Sequence, residues 1–272
     1  MQYDPIKKSL GKVFNANPFL RILFYKMLDL LLLRAWHIRK ELKKWSKTVP
    51  HGAKIMDAGS GFGQYTHFLT TLNNRHEILA LDVKEEQIAD CNQFFQKIGK
   101  SGQAHFEKQD LTTYTQDDSF DLIISIDVME HILEDEQVFS NFHQSLKDGG
   151  LLLISTPSDL GGSDSDHHGE DEVHGFIDEH VRDGYNMDDI KAKLERAGFS
   201  RIEAAYTYGK NGSLAWRLSM KYPISILNWS KLFFILLPFY YLVTFPFCLV
   251  LNYLDVSTPQ ASGTGLMVKA YK

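Results

Sequence analysis

Cysteine is scarce. The 272-residue chain has two, Cys91 and Cys248, too few for a disulfide framework or a Cys-based zinc site, and that usage suits a reducing cytoplasm. Proline stands at 8 and glycine at 19, which leaves no room for a collagen-like or low-complexity chain. With 12% aromatic and 23% charged residues, global disorder is excluded as well. No apolar run begins before Pro18, so a secretory signal is not expected. No internal repeat is evident. The length fits one large α/β domain, or a smaller domain with attachments.

The net charge of −5 conceals a strong asymmetry. Residues 1–50 hold 11 Lys/Arg against 3 acids, net +8; residues 51–209 hold 12 against 30, net −18; residues 210–272 hold 6 against 1, net +5. An acidic middle argues against a nucleic-acid substrate, which needs a positive surface. The basic ends are also the most hydrophobic parts, a combination that favours an anionic membrane surface. Residues 19–38 are apolar nearly all round, interrupted by Arg21, Lys26, Asp29, Arg34 and His37. They predict a helix continuing through the basic stretch 39–47. The charges inside it argue against a membrane span. It can pack on the domain, lie at a membrane interface or act as a substrate lid.

From Ala53 onward the pattern alternates strand and helix. Strands are expected at 53–57, 77–82, 104–108, 121–126 and 150–155, with helices at about 63–73, 85–98 and 131–146. A helix at 187–197 begins at Asn186 and ends at Gly198. A sixth strand follows at 200–207 and a seventh at 265–272. This is the rhythm of a doubly wound, seven-stranded Rossmann-like α/β sheet with a terminal antiparallel strand. The expected division is a helical extension (1–50), a core (51–209 with 263–272) and a hydrophobic helical insert (210–262).

The insert holds 23 consecutive uncharged residues, 232–254, long enough to span a bilayer. Pro238 and Pro246 are expected to break a continuous helix there. If the sixth and seventh strands share a sheet, the chain must leave and return on one side. That leaves a helical hairpin, a re-entrant or monotopic patch, or a buried cap. A lid or a dimer surface is the alternative reading.

The strongest chemical signal is KIMDAGSGFGQYT at 54–66. A strand ends at Met56-Asp57, and Gly59, Gly61 and Gly63 open a helix whose free N–H groups meet polar ligand atoms. A nicotinamide fingerprint would put its third glycine where Gln64 stands. Asp57 would repel a pyrophosphate but suits a cationic amino group. Asp82 ends the second strand, where a carboxylate can accept both ribose hydroxyls. Asp110 ends the third strand, placed for an adenine amino group. Asp127, Glu130 and His131 lie just past the fourth.

Together DAGSGFG, Asp82, QDL and DVMEHI resemble the class I S-adenosylmethionine-dependent methyltransferases, over about 50–207 and 265–272. The wording around DVMEHI and 176–199 looks like the quinone, sterol and small-molecule group. The resemblance implies a cofactor site of Asp57, Gly59, Ser60, Gly61, Gly63, Tyr65, Asp82, Val83, Gln109, Asp110, Leu111, Asp127 and Val128. Asp57 and the glycines would hold the methionine part, Asp82 the ribose, and Asp110-Leu111 the adenine, with Asp127 beside the sulfonium. The D/N-P-P-Y element of amino-group methylation is missing, so oxygen or carbon is the expected acceptor.

Methyl transfer needs alignment, water exclusion and, for a phenol or enol, a base near neutral pKa. His131 is the first candidate base, with a structural helix-start histidine as the alternative. The loop 157–185 carries His167, His168, His174 and His180. A solvated loop, a substrate or base contact through His174 or His180, and a divalent-metal site are three readings of it. No tight ligand spacing stands out, and no metal ligand is assigned.

The expected activity is methylation of a hydrophobic, lipid-like small molecule, such as a phenolic polyketide or quinone-type compound, by a cytoplasmic protein in peripheral contact with an anionic membrane. The alternatives are a soluble homodimeric enzyme for a polar metabolite and a non-catalytic S-adenosylmethionine-binding assembly protein.

Overall fold

The computed structural model describes residues 17–49, 52–161 and 181–272. Its centre is a seven-stranded sheet of β1 (Lys54–Ala58), β2 (Glu77–Asp82), β3 (Ala104–Lys108), β4 (Phe120–Ile126), β5 (Leu146–Pro157), β6 (Arg201–Thr207) and β7 (Gly265–Tyr271). The order is β3-β2-β1-β4-β5-β7-β6. β1 to β5 run parallel, and β7 lies antiparallel between β5 and β6. The expected Rossmann-like sheet with its antiparallel strand is present. The order reverses between β1 and β4, and open α/β sheets bind ligands at the carboxyl ends beside such a reversal.

The central strands are apolar along their length because both faces are covered. Ile55, Leu122, Ile124 and Leu153 pack on one face with Phe68, Phe94 and Phe95. Met56, Ile123, Leu152 and Ile154 pack on the other with Phe139 and Phe142. The covering helices are α3 (Gln64–Leu72), α4 (Glu85–Lys97), α5 (Asp135–Ser145) and α6 (Met187–Arg196). Asn186 caps α6 as expected, accepting from the N–H groups of Asp188 and Asp189.

Three local expectations are corrected. First, the N-terminal apolar stretch is two helices, α1 (Pro18–Leu31) and α2 (Leu33–Trp45), with Leu32 extended between them. The Leu30 carbonyl at the break is taken by the indole N–H of Trp36 at 3.1 Å, so the interruption leaves no orphan there. Second, the helix expected at 131–146 is a 3-10 turn, Met129–His131, followed by α5. The intervening Ile132 carbonyl receives the Arg182 guanidinium at 2.7 Å. Third, Pro246 does not break its helix. It lies inside a continuous 21-residue helix that has Pro238 in its first turn. The ring removes one N–H from the ladder, but packing and length carry the helix past it.

The insert runs through α7 (Lys210–Trp216), a π turn (Arg217–Lys221), α8 (Tyr222–Trp229), a 3-10 turn (Lys231–Ile235) and α9 (Leu237–Ser257). α9 folds back on α7: the Tyr240 and Tyr241 hydroxyls donate to the carbonyls of Leu218 and Ser219 at 2.6 and 2.8 Å. Thr207, the last residue of β6, pairs with Gly265, the first of β7. The insert therefore leaves and returns at one point, at the carboxyl end of the sheet.

One buried carboxylate joins the additions to the core. Asp255 is fully buried in the last turns of α9. It accepts from the backbone N–H groups of Tyr208 at 3.2 Å and Gly212 at 3.0 Å, and its Oδ1 lies 2.9 Å from His37 Nε2 of α2. Removing it strands three donors in a buried site, whereas Asn keeps the shape and part of the bonding. We expect Asp255→Ala to lower unfolding free energy by about 3–5 kcal/mol, and Asp255→Asn to lower it less, as read by denaturant titration. Equal stability of Asp255→Ala and wild type would contradict the clamp.

Candidate cofactor site

Four loops converge at the carboxyl ends of β1, β2, β3 and β4. The first is the glycine loop after β1. The N–H groups of Gly59 and Ser60 both donate to the Leu81 carbonyl at 2.9 Å, and the N–H of Gly61 donates to Asp82 Oδ2 at 2.9 Å. The loop is thus pinned to the tip of β2 before it enters α3, with Gly63 at the helix cap in a left-handed conformation.

The glycines serve different neighbours. A Cβ at Gly59, where φ is +85°, would meet Val128 at 2.2 Å, so this glycine lets the loop approach the exit of β4. A Cβ at Gly61, where φ is +52°, would meet nothing within 4 Å. That is the open side a ligand can approach.

Asp57 is buried at 2% exposure and accepts from the Thr66 hydroxyl at 2.5 Å. Burial holds its carboxyl up at about 7. A cationic amino group is the partner that would stabilise its ionised form. Asp82 spends one oxygen on Gly61 and the other on the Lys84 N–H at 2.9 Å, and it remains part-exposed. Val83 beside it is exposed. The N–H of Gln109 donates to the Asp82 carbonyl at 3.0 Å, which brings the β3 loop alongside. Asp110 is exposed, and Thr112 donates to it twice, holding its carboxyl below the usual range. Leu111 is turned into the core, and its carbonyl receives Asn141 at 2.9 Å.

At the end of β4, Asp127 takes a left-handed conformation with φ of +51°. Such backbone strain gathers at functional sites. Glu130 is buried, and Thr156 of β5 donates to it at 3.1 Å. Burial raises its carboxyl pKa. His131 is exposed beside it, with its backbone N–H on the Val128 carbonyl. His174 and His180, like His167 and His168, lie outside the described residues. Among the described residues, no group of three or more His, Cys, Asp or Glu is arranged to hold a metal ion.

Sequence reasoning missed two members of this cleft. Arg34, from the first turn of α2, forms an ion pair with Asp127, and its Nε donates to the Tyr65 hydroxyl at 3.3 Å. Its backbone N–H donates to the hydroxyl of Tyr208, just past β6, at 3.0 Å. The only signal in the sequence was an arginine interrupting an apolar run.

The residues fit an S-adenosylmethionine site on two observations. The side of Gly61 is open, and the Ser60 hydroxyl is buried with no hydrogen-bond partner among the described residues. A buried polar atom left unpaired at the glycine loop is one that a polar ligand would satisfy.

Comparison with known proteins decides the family. The profile described as "Methyltransferase domain" matches residues 50–198, which is more than half of the chain. The chain belongs to this methyltransferase family. It is a class I S-adenosylmethionine-dependent methyltransferase by family and fold, and S-adenosylmethionine is the cofactor. Phosphoethanolamine N-methyltransferase 1 of Triticum aestivum is 31% identical over 157 residues, 56% of this chain and 29% of that protein. The chain thus spans under a third of the wheat enzyme's length. Sterol 24-C-methyltransferase of Pneumocystis carinii is 26% identical over 62% of this chain and 45% of that one. In structure, the Haemonchus contortus phosphoethanolamine N-methyltransferase 2 complex with S-adenosyl-L-methionine aligns with a TM-score of 0.57 at 18% identity. It covers 87% of this methyltransferase and 52% of that chain, and the likeness is one of fold.

The raised Asp57 carboxyl gives a signed pH dependence. A carboxyl whose folded pKa stands above its ordinary 3.8 contributes stability that is full below about pH 4 and lost as pH rises through about 7. We expect Asp57→Asn, which keeps the Thr66 bond, to raise the melting temperature of the ligand-free methyltransferase at pH 8. At pH 4 it should give little or no gain. Equal shifts at the two pH values in thermal melts would contradict an ionising buried Asp57.

Proposed function

We propose that this methyltransferase transfers the methyl group of S-adenosylmethionine to an oxygen, or a carbon, of a hydrophobic, lipid-like molecule at a membrane surface. The cofactor supplies an activated methyl group on a sulfonium. The protein's own tasks are to bind, orient and exclude water. Asp57 and the Ser60 hydroxyl would hold polar atoms of the methionine part, Asp82 the ribose and the Asp110 loop the adenine. Asp127 would face the sulfonium. An oxygen acceptor must lose a proton, and the end of β4 offers two groups for it. His131 is exposed beside the cleft, and Glu130 is a buried carboxyl whose pKa burial raises.

The observation that carries the membrane reading is the outer face of α9. Phe239, Leu242, Val243, Phe247 and Val250 are 59–76% exposed along one helix. Soluble surfaces rarely leave such a stripe uncovered. α9 is long and apolar enough to cross a membrane by length and composition. However, the insert that holds it leaves and returns at the paired Thr207 and Gly265, so a single crossing is ruled out and α9 would lie in one leaflet. The charge matches an anionic surface. Trp36, Arg39, Lys40, Lys43, Lys44 and Lys47 line a groove of about 470 Å³ with Asp29, and the Lys40 ammonium reaches the Val256 carbonyl at the end of α9. Cationic groups beside an apolar face are the composition of interfacial segments. The two buried thiols, Cys91 and Cys248, suit the cytoplasmic side. The insert leaves and returns at the carboxyl end of the sheet, the end that carries the cleft, so an acceptor would have a short path from lipid to cofactor.

Vesicle flotation tests this reading. Wild type is expected to float with phosphatidylserine-containing vesicles in a salt-sensitive way. Val243→Glu with Phe247→Glu should weaken binding at least about tenfold, since each exposed side chain contributes on the order of 1 kcal/mol or more when buried in lipid. A wild type that stays in solution as a clean dimer by light scattering would overturn it in favour of a soluble dimeric enzyme.

A further inference from the structure

The cleft has an acidic rim, of Asp57, Asp82, Asp127 and Glu130, with one basic side chain pushed into it. Arg34 pairs with Asp127, but the pair leaves much of its bonding capacity unspent. A guanidinium has five N–H donors. Nε is on Tyr65 and Nη1 on Asp127, and Nη2 has no hydrogen bond among the described residues. The Arg34 side chain as a whole is 29% exposed.

The two tyrosines repeat the pattern. Both hydroxyls accept from Arg34, one from Nε and one from the backbone N–H. Neither donates its own proton to a described residue. Burial raises the pKa of both phenols, so they remain protonated donors. The guanidinium thus keeps three unused N–H donors and its positive charge, and the two hydroxyls add two more; the other carboxylate near Arg34 is Glu130, which is buried and already takes the Thr156 hydroxyl. The holders of Arg34 are strained: Asp127 at φ +51° and Tyr208 at φ +56° are two of the three non-glycine residues with positive φ among the described residues.

A cation whose sole task was to neutralise Asp127 would not need the Tyr65 hydroxyl on its Nε, with a second hydroxyl, that of Tyr208, at its own backbone N–H. Nor would it survive unchanged once the cofactor's positive charge came to Asp127, because like charges repel at close range. Arg34 would then lose its ion-pair partner and keep only the buried Glu130 nearby, leaving its exposed donors for another anion.

We infer that Arg34, Tyr65 and Tyr208 form the recognition site for an acidic group on the methyl acceptor, a carboxylate or a phosphate. The acceptor is then an apolar anion, whose hydrocarbon part sits toward the insert and whose acid is read by Arg34. The inference rests on the reading of Asp127 as the residue beside the sulfonium. It narrows the lipid-like acceptor to an acidic one.

The test is binding, by calorimetry, to the full-length protein saturated with sinefungin, which carries an amine cation near the position of the sulfonium. The probes are dodecanoate, dodecyl phosphate, dodecanol and butanoate, each below its micelle concentration. Wild type is expected to bind dodecanoate or dodecyl phosphate at least about tenfold tighter than dodecanol, the worth of a charge-assisted hydrogen-bonded group. The tighter of the two names the acid. Arg34→Met should erase that preference, Arg34→Lys should keep part of it, and Tyr65→Phe with Tyr208→Phe should reduce it, at some cost in melting temperature because the Arg34 N–H loses its acceptor. Dodecanol binding as tightly as dodecanoate in wild type would overturn the inference and leave the lipid-like acceptor standing. A full anion preference in Arg34→Met would overturn it too. Butanoate binding as tightly as dodecanoate would uphold the acid site and remove the lipid-like acceptor.

Discussion

The structure depends on how a buried carboxylate holds three distant segments together. Asp255 ends α9, yet it takes the N–H groups of Tyr208 and Gly212 at the start of the insert and faces His37 of α2. An acceptor-only group in the interior must be met by donors, and these donors come from both additions to the core. The consequence reaches the cleft. Tyr208 is fixed in a left-handed conformation whose hydroxyl receives the Arg34 N–H, and Arg34 in turn reaches Asp127. Extension, insert and strand ends thus form one connected set of polar contacts. The buried Arg21 ties α1 down independently, through Asp90 and the Phe62 carbonyl at 2.6 and 2.8 Å.

The sheet was legible because its central strands are covered on both faces and read as apolar runs ending in turn residues. All seven strands lie within a few residues of the expected positions, β5 excepted, which begins at Leu146. The cofactor cleft was legible for the same reason. Asp57, Asp82, Asp110 and Asp127 are carboxylates at strand ends, so a local pattern places them at one edge. Arg34, Tyr208 and Asp255 were not legible. They are 174 and 47 residues apart in sequence, and no motif announces a contact made only when the insert closes against α2. Pro246 misled in the opposite direction. Its local rule predicts a break, but a proline inside a long apolar helix loses one hydrogen bond among many.

The glycine loop also shows why a motif is read more surely than its parts. Gly59 makes room for Val128, while Gly61 faces open space. One glycine serves packing and the other leaves an open side, although both carry positive φ. Leu111 likewise belongs to the core rather than to the cleft.

The proposed function rests on a polar cleft and an uncovered apolar helix at the same end of one sheet. The β6–β7 pairing sets that proximity, because the insert has its two ends joined at Thr207 and Gly265. The most direct measurement is methyl transfer from radiolabelled S-adenosylmethionine to vesicles made from a total lipid extract, followed by partition between organic and aqueous phases. The account predicts enzyme-dependent label in the organic phase, absent without vesicles. Enzyme-dependent label confined to an aqueous product would contradict it.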